Sequence, residues 1–312
     1  MIFAARGLLV SLAFFATVYC ALSMLVVLAW RCVGGDIGKP RAWSANFLFG
    51  LRMFPFAAST LVAIFFTFPS FWLMEAASLD EDAGTFVLAA CALLILGGGL
   101  FRVLRARAGT TNAVRQWTLA EKSVGKRGTF SPTLSAALGA PALVLVGIRK
   151  PRVMVSDMAT VVLSSRELHL AVRHELGHKR SWDNLRKVLM SAAPFPGMNH
   201  LESAWRQAAE LAADDAAVRS RQDALDLAAA LIKLSRSSKQ WSEPALASGF
   251  VSGLSSISLR VKRLIEWRRD TPRIQRTWHW TLLALLMLVV AVGHNYGAAL
   301  VLTHRLTELL VP

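Results

Sequence analysis

His174-Glu175-Leu176-Gly177-His178 reads H-E-x-x-H. On a helix, residues four apart stand one above the other, so the two imidazoles face the same way and can grip one ion. Glu175 lies about 100° round from His174 and about 60° from His178, so it borders the same ion and can serve as a base toward water there. Five residues thus supply two metal ligands and a proton acceptor. The pattern demands a helix through this point and a neighbouring element that carries a further ligand.

The flanks agree. Ser164-Ser165-Arg166-Glu167 is a capping box ahead of an apolar periodic run. It predicts a helix from Ser165 to about Ala192, stopped by Pro194 and Pro196, with Leu168, Ala171, Val172, Leu176 and Leu185 on its buried side. A turn at Pro194–Gly197 leads into a second helix, from about His200 to Ser220, whose alanines permit close packing. Gln222–Arg236 is a third, amphipathic helix. Gln240–Ser255 reads as a loop. Ser256–Arg269 is a basic amphipathic helix that either lies on the inner membrane face or packs on the core. Upstream, Ala142–Val146 and Arg152–Ser156 form a small hairpin around Gly147, the one strand signal in the chain.

Composition supplies the wider setting. Of 312 residues, 54% are hydrophobic and 18% charged, and the mean hydropathy is +0.44. That excludes an ordinary soluble domain and points to several membrane spans. Four stretches fit: Gly7–Trp30, Met53–Met74, Thr85–Phe101 and Trp278–Leu302. Gly7–Trp30 is longer than the apolar part of a cleaved leader and reads as a retained span. Arg31, Lys39 and Arg41 follow the first span, and Glu75, Asp80, Glu81 and Asp82 the second. Arg102, Arg105, Arg107 and Arg115 follow the third, and Arg268, Arg269, Arg273 and Arg276 precede the fourth. The positive-inside rule then places the long polar segment in the cytoplasm and both termini outside. The predicted division is 1–105 with three spans, 106–276 as the cytoplasmic domain, and 277–312 with the fourth span and a short external tail. The net charge of +15 sits largely beside spans, so no direct nucleic-acid partner is expected. Cys20, Cys32 and Cys91 lie in or beside spans and form no C-x-x-C pair. Arg52, at the edge of span two, is the lone ionisable candidate for a transport role.

A catalytic zinc site takes three protein ligands and leaves a position open. The downstream candidates are His200, Glu202, Glu210, Asp214 and Asp215. Glu210 stands out, because Glu210 and Asp214 are i and i+4 on an Ala-rich helix antiparallel to the first. Asp214 can accept the free N–H of a ligand imidazole. His169 falls off the ligand side of its helix. His279, His294 and His304 fall in or near the last span.

Lys150-Pro151-Arg152-Val153, the Ser-Ser-Arg-Glu helix start, His174 through Leu185, and Glu210-Leu211-Ala212-Ala213-Asp214-Asp215-Ala216-Ala217-Val218 together resemble the BlaR/MecR-type membrane zinc metallopeptidases, bacterial signal-transducing proteases of the gluzincin kind. The resemblance implies His174, His178 and Glu210 as ligands of one Zn2+ per chain, Glu175 as the catalytic base, and Asp214 and Asp183 as acids behind the ligands. It implies a mainly α fold: four transmembrane helices, a helical gluzincin-type zinc protease domain inserted between spans three and four, and one small β-hairpin. It implies a multi-pass protein of the bacterial cytoplasmic membrane that cleaves a cytoplasmic protein, such as a transcriptional repressor. The lipid bilayer is its other partner. The best-known members carry a penicillin-binding sensor domain after the last span. This sequence ends at Pro312, so β-lactam sensing by the chain itself is not expected. Prenyl-protein endopeptidases and the HtpX protease share both motifs and offer a quality-control or maturation role instead. A non-catalytic transducer with a structural zinc site is a further alternative, against which the intact Glu175 argues.

Overall fold

The computed structural model describes residues 2–34, 43–74, 83–124, 134–136, 142–149, 151–237, 247–249, 254–267 and 295–310. Helix dominates, as the sequence leads one to expect. The chain opens with α1 (Ile2–Gly34) and α2 (Ala45–Val62). A π-helical turn, Ala63–Thr67, joins α2 to α3 (Phe68–Met74), and α4 (Ala83–Val124) follows. Three stretches, Phe3–Cys32, Ala45–Met74 and Ala83–Trp117, are long and apolar enough to cross a membrane. Their outward faces carry large exposed side chains such as Leu25, Ile64, Leu73 and Leu94, which suits contact with lipid. Their facing sides are small or hydroxylic: Ala13, Ala16, Ala89, Ala92, Ser59 and Thr67 are buried. Small residues let helix backbones approach where no water drives association. Ser11 and Ser59 donate to the carbonyls of Gly7 and Pro55, which satisfies their hydroxyls without water.

The third span differs from expectation in length. The apolar run ends near Phe101, yet α4 continues unbroken to Val124, 42 residues in all. The expected division at 105/106 therefore falls inside one rigid helix. Its far end is held by Trp117, which packs on Val144 and Met154 of the sheet. Tertiary contact, not apolarity, sustains those last turns.

That sheet is larger than the hairpin. β2 (Leu143–Val146) and β3 (Arg152–Ser156) pair antiparallel as expected. β1 (Leu134–Ala136) adds parallel to β3 and β4 (Ala247–Gly249) antiparallel to β2, in the order β1-β3-β2-β4. Part of the expected 240–255 loop is therefore a strand. Leu-Ser-Ala and Ala-Ser-Gly are too short to show any alternation, so only pairing defines them.

After α5 (Asp157–Val162) comes α6 (Ser165–Arg180), opened by the expected capping box. Ser164 Oγ accepts from the Glu167 N–H, and Glu167 accepts from the Ser164 N–H at 2.8 Å. Burial pushes the Glu167 carboxyl up. The Lys233 ammonium, 2.7 Å away, and the Ser164 contacts outweigh burial and hold it below its ordinary value. A carboxyl lowered in the folded state stabilises above its unfolded pKa of roughly 4.3, and that contribution fades as pH falls through the folded value. Glu167→Ala is therefore expected to cost about 1 kcal/mol near neutral pH. Thermal unfolding in detergent should show the gap to wild type closing below about pH 4.

The expected 165–192 helix is in fact two. Trp182 sits at φ 56°, a left-handed conformation, and ends the run between α6 and α7 (Asp183–Ala192). Such a residue costs roughly 1–2 kcal/mol, so no propensity rule would put a tryptophan there. The break turns α7 toward α4. Gly99 lets it arrive: a Cβ there would collide with the Ala192 carbonyl. At the other end of α7, Asn184 donates to the carbonyls of Leu145 and Gly147, tying the helix to the hairpin.

α8 (Asn199–Ala217) and α9 (Arg221–Ser237) follow, with ends close to those expected. The turn between α7 and α8 inserts among the spans. Tyr19 of α1 donates to the Pro194 carbonyl, and Phe195 packs on Tyr19. Met198, Leu201 and Trp205 share a core with Val26, Val27 and Leu48. Arg52 of α2 is 1% exposed, and its Nε and Nη2 are engaged here. Its guanidinium meets Glu202 at 2.9 Å and donates to the carbonyls of Met190 and Ala193, the last turn of α7. A cation at a helix C-terminus is favourable, and this one ties α2 to α7 and α8.

α10 (Leu254–Ile265) settles the choice left open for the basic helix. Leu264 lies in the core with Leu170, Leu227 and Leu231, so α10 packs on the domain. The expected fourth span, Trp278–Leu302, lies mostly outside the described residues. α11 (Tyr296–Leu310) covers its end and runs beyond Leu302, with the Tyr296 hydroxyl donating to the Phe65 carbonyl.

Candidate metal centre

The H-E-x-x-H turn lies inside α6, and Gly177 between the histidines brings α8 close. A Cβ on Gly177 would stand 3.2 Å from the Ala213 backbone. With that approach, Glu210 on α8 comes opposite the two imidazoles. Donor atoms of His174, His178 and Glu210 all lie within 4.8 Å of one another and could hold a metal ion. The two Nε2 atoms are 3.2 Å apart. Tetrahedral zinc with Zn–N near 2.05 Å needs roughly 3.3 Å. Nε2 of His174 is 3.5 Å from Glu210 Oε2, and Nε2 of His178 is 3.6 Å from Oε1.

The rear of each ring is also fixed. His174 Nδ1 lies 2.9 Å from Asp214 Oδ1, and His178 Nδ1 lies 2.6 Å from Asp183 Oδ2. A carboxylate behind Nδ1 holds the N–H there and turns the Nε2 lone pair forward, the arrangement found behind metal-ligating histidines. The break at Trp182 makes this possible for His178, because it brings Asp183 back over the end of α6. Glu175 is completely buried beside His178 and Arg260.

Arg260 on α10 was not among the residues singled out in the sequence. It is 1% exposed, and its guanidinium grips both oxygens of Asp214, at 2.8 and 2.7 Å. A third nitrogen, Nη1, lies 2.9 Å from Glu210 Oε2. Its one sequence signal is an arginine at a position where the apolar periodicity of α10 calls for a buried residue. The other candidates stand apart. Glu202 is held by Arg52, Asp215 pairs with Arg263 near the surface, and His169 and His200 are exposed. His279 and His294 lie outside the described residues.

The electrostatics are those of a cation site. Burial pulls the His178 imidazole down, but the Glu210 charge and the Asp183 hydrogen bond outweigh it and push it up to about 10. Burial raises the Glu210 carboxyl, and the His178 and Arg260 charges overcome that and hold it well below the usual carboxylate range. Asp214 is lowered in the same way, by Arg260 and His174. A divalent ion held by His174, His178 and Glu210 would take the place of a proton on His178 and meet carboxylates that are already ionised.

Three apolar helices, a buried H-E-x-x-H helix and an acidic helix crossing it together make a membrane-associated metallopeptidase. A family model described as BlaR1 peptidase M56 matches residues 85–264, more than half of the chain, and the chain belongs to that family. The match runs from α4 to α10 and includes every residue of the metal centre. No curated protein matches the chain.

Proposed function

We propose that the chain is a zinc-dependent endopeptidase of the bacterial cytoplasmic membrane that cleaves a cytoplasmic protein, with a transcriptional repressor in a signal-response pathway as the substrate. One observation carries the reading: two Nε2 atoms at zinc-binding separation, each ring backed by a carboxylate, face one glutamate of α8. In this reading His174, His178 and Glu210 hold the ion, and Asp214 and Asp183 orient the imidazoles. Zinc, when bound, supplies a Lewis acid that polarises the scissile carbonyl and makes water nucleophilic near neutral pH. Glu175 takes the proton of the attacking water on a carboxylate oxygen and returns it to the leaving amine. The burial of Glu175 keeps bulk water from competing for that proton.

The basic residues beside the spans support a cytoplasmic side for the 106–276 segment. The test is a comparison of cytoplasmic protein termini in cells carrying wild type or Glu175→Gln. Fragments of one regulator that vanish in the mutant support the reading. Identical termini in both remove it.

A further inference from the structure

Glu210 and Asp214 stand one turn apart on α8 and point into the same buried space. Two carboxylates so placed repel each other, and each has two oxygens that could reach a metal ion. A glutamate that ligated through both oxygens would raise the coordination number and crowd the position that a hydrolytic site keeps for water. Something must choose one oxygen. Arg260 contacts Glu210 at Oε2, 2.9 Å from Nη1; that oxygen also lies 3.5 Å from His174 Nε2, while Oε1 lies 3.6 Å from His178 Nε2, so the guanidinium competes with a metal for Oε2 alone. The same guanidinium is anchored by its fork on Asp214, so its reach to Glu210 is fixed in direction as well as charge. α10 is itself held in register by Leu264 in the core and by Arg263, which pairs with Asp215 and donates to the Leu211 carbonyl.

We infer that Arg260 is a positioning residue: it engages Oε2 of Glu210, restricts that side chain to a single ligating oxygen, and so keeps one coordination position of the metal open. The inference rests on the metal reading above and extends it to an element far along the chain. A lysine supplies the charge without the fork, since an ammonium is a point donor. Charge alone and geometry are therefore separable.

The experiment uses the full-length protein in detergent, loaded with zinc or with cobalt. Zinc affinity is read by competition with a chromophoric chelator. Coordination number is read from the visible absorption of bound Co2+, which is intense for four ligands and weak for five or six. Arg260→Ala is expected to weaken zinc about 10–100-fold and to lower the cobalt absorption. Arg260→Lys is expected to recover most of the affinity and little of the absorption. Arg263→Ala, which removes a partly exposed pair on α10 while Leu264 keeps the helix seated in the core, is expected to change neither. A folded Arg260→Ala with wild-type affinity and absorption overturns the inference. If Arg260→Ala does not fold, wild-type cobalt absorption in folded Arg260→Lys overturns it instead. Wild-type protein that binds neither metal removes the metal reading and this inference together, whereas a metal-loaded wild type with unaffected Arg260 variants removes this inference alone.

Discussion

Glu175→Gln is expected to keep its metal and lose roughly 10²–10⁴-fold in peptide hydrolysis, the range that a positioned acid–base group supplies. The substitution is nearly isosteric, so the packing of a completely buried side chain is preserved. Its amide cannot accept a proton from water. Glu175 does not belong to the set of donor atoms gathered by His174, His178 and Glu210, so zinc content should stay at one per chain. The two measurements are metal analysis and turnover of a quenched-fluorescence peptide library in detergent. Wild-type turnover in the mutant would remove Glu175 as the base. Loss of zinc would instead show that its carboxylate helps to hold the ion.

Glu210→Ala should have the opposite signature, with metal lost first and activity as a consequence. Of the three proposed ligands, Glu210 alone comes from α8, so its removal would leave two imidazoles of a single helix to hold an ion. The expected fall in zinc affinity exceeds the roughly 10–100-fold typical of an outer partner. Arg260 retains Asp214, so the guanidinium is not left without a counter-charge. Stability provides a second readout. A ligand that binds only the folded state stabilises by RT ln(1 + [L]/Kd), so the melting temperature of wild type should rise with zinc concentration. That of Glu210→Ala should stay flat over the same range. Full zinc occupancy in the mutant would move the third ligand to another residue.

The parts of the fold that could be read in advance are those governed by local rules. The capping box before Glu167 places the start of α6 within a residue, because two side chains close on two backbone N–H groups of the same turn. The apolar runs mark the spans, because lipid selects on composition alone. The end of α6 could not be read, since its break depends on one residue, Trp182, adopting a left-handed conformation that no local rule assigns to tryptophan. The length of α4 could not be read either, since its last turns are held by the sheet. The same holds for Arg52, which looked like an ion in a span and is a clamp on α7 and α8.

The metal centre divides along the same line. Helical periodicity over 174–178 and 210–214 set which side chains share a face, because 3.6 residues per turn is a property of the backbone. Whether those two faces meet, which oxygen of Glu210 is engaged, and that Arg260 closes the back of the cluster were decided by packing. Gly177 against Ala213 sets the separation of α6 and α8, and the seat of Leu264 in the core brings α10 over Asp214. Contacts such as these, between residues far apart in the chain, obey no local periodicity, only the shape of the assembled core.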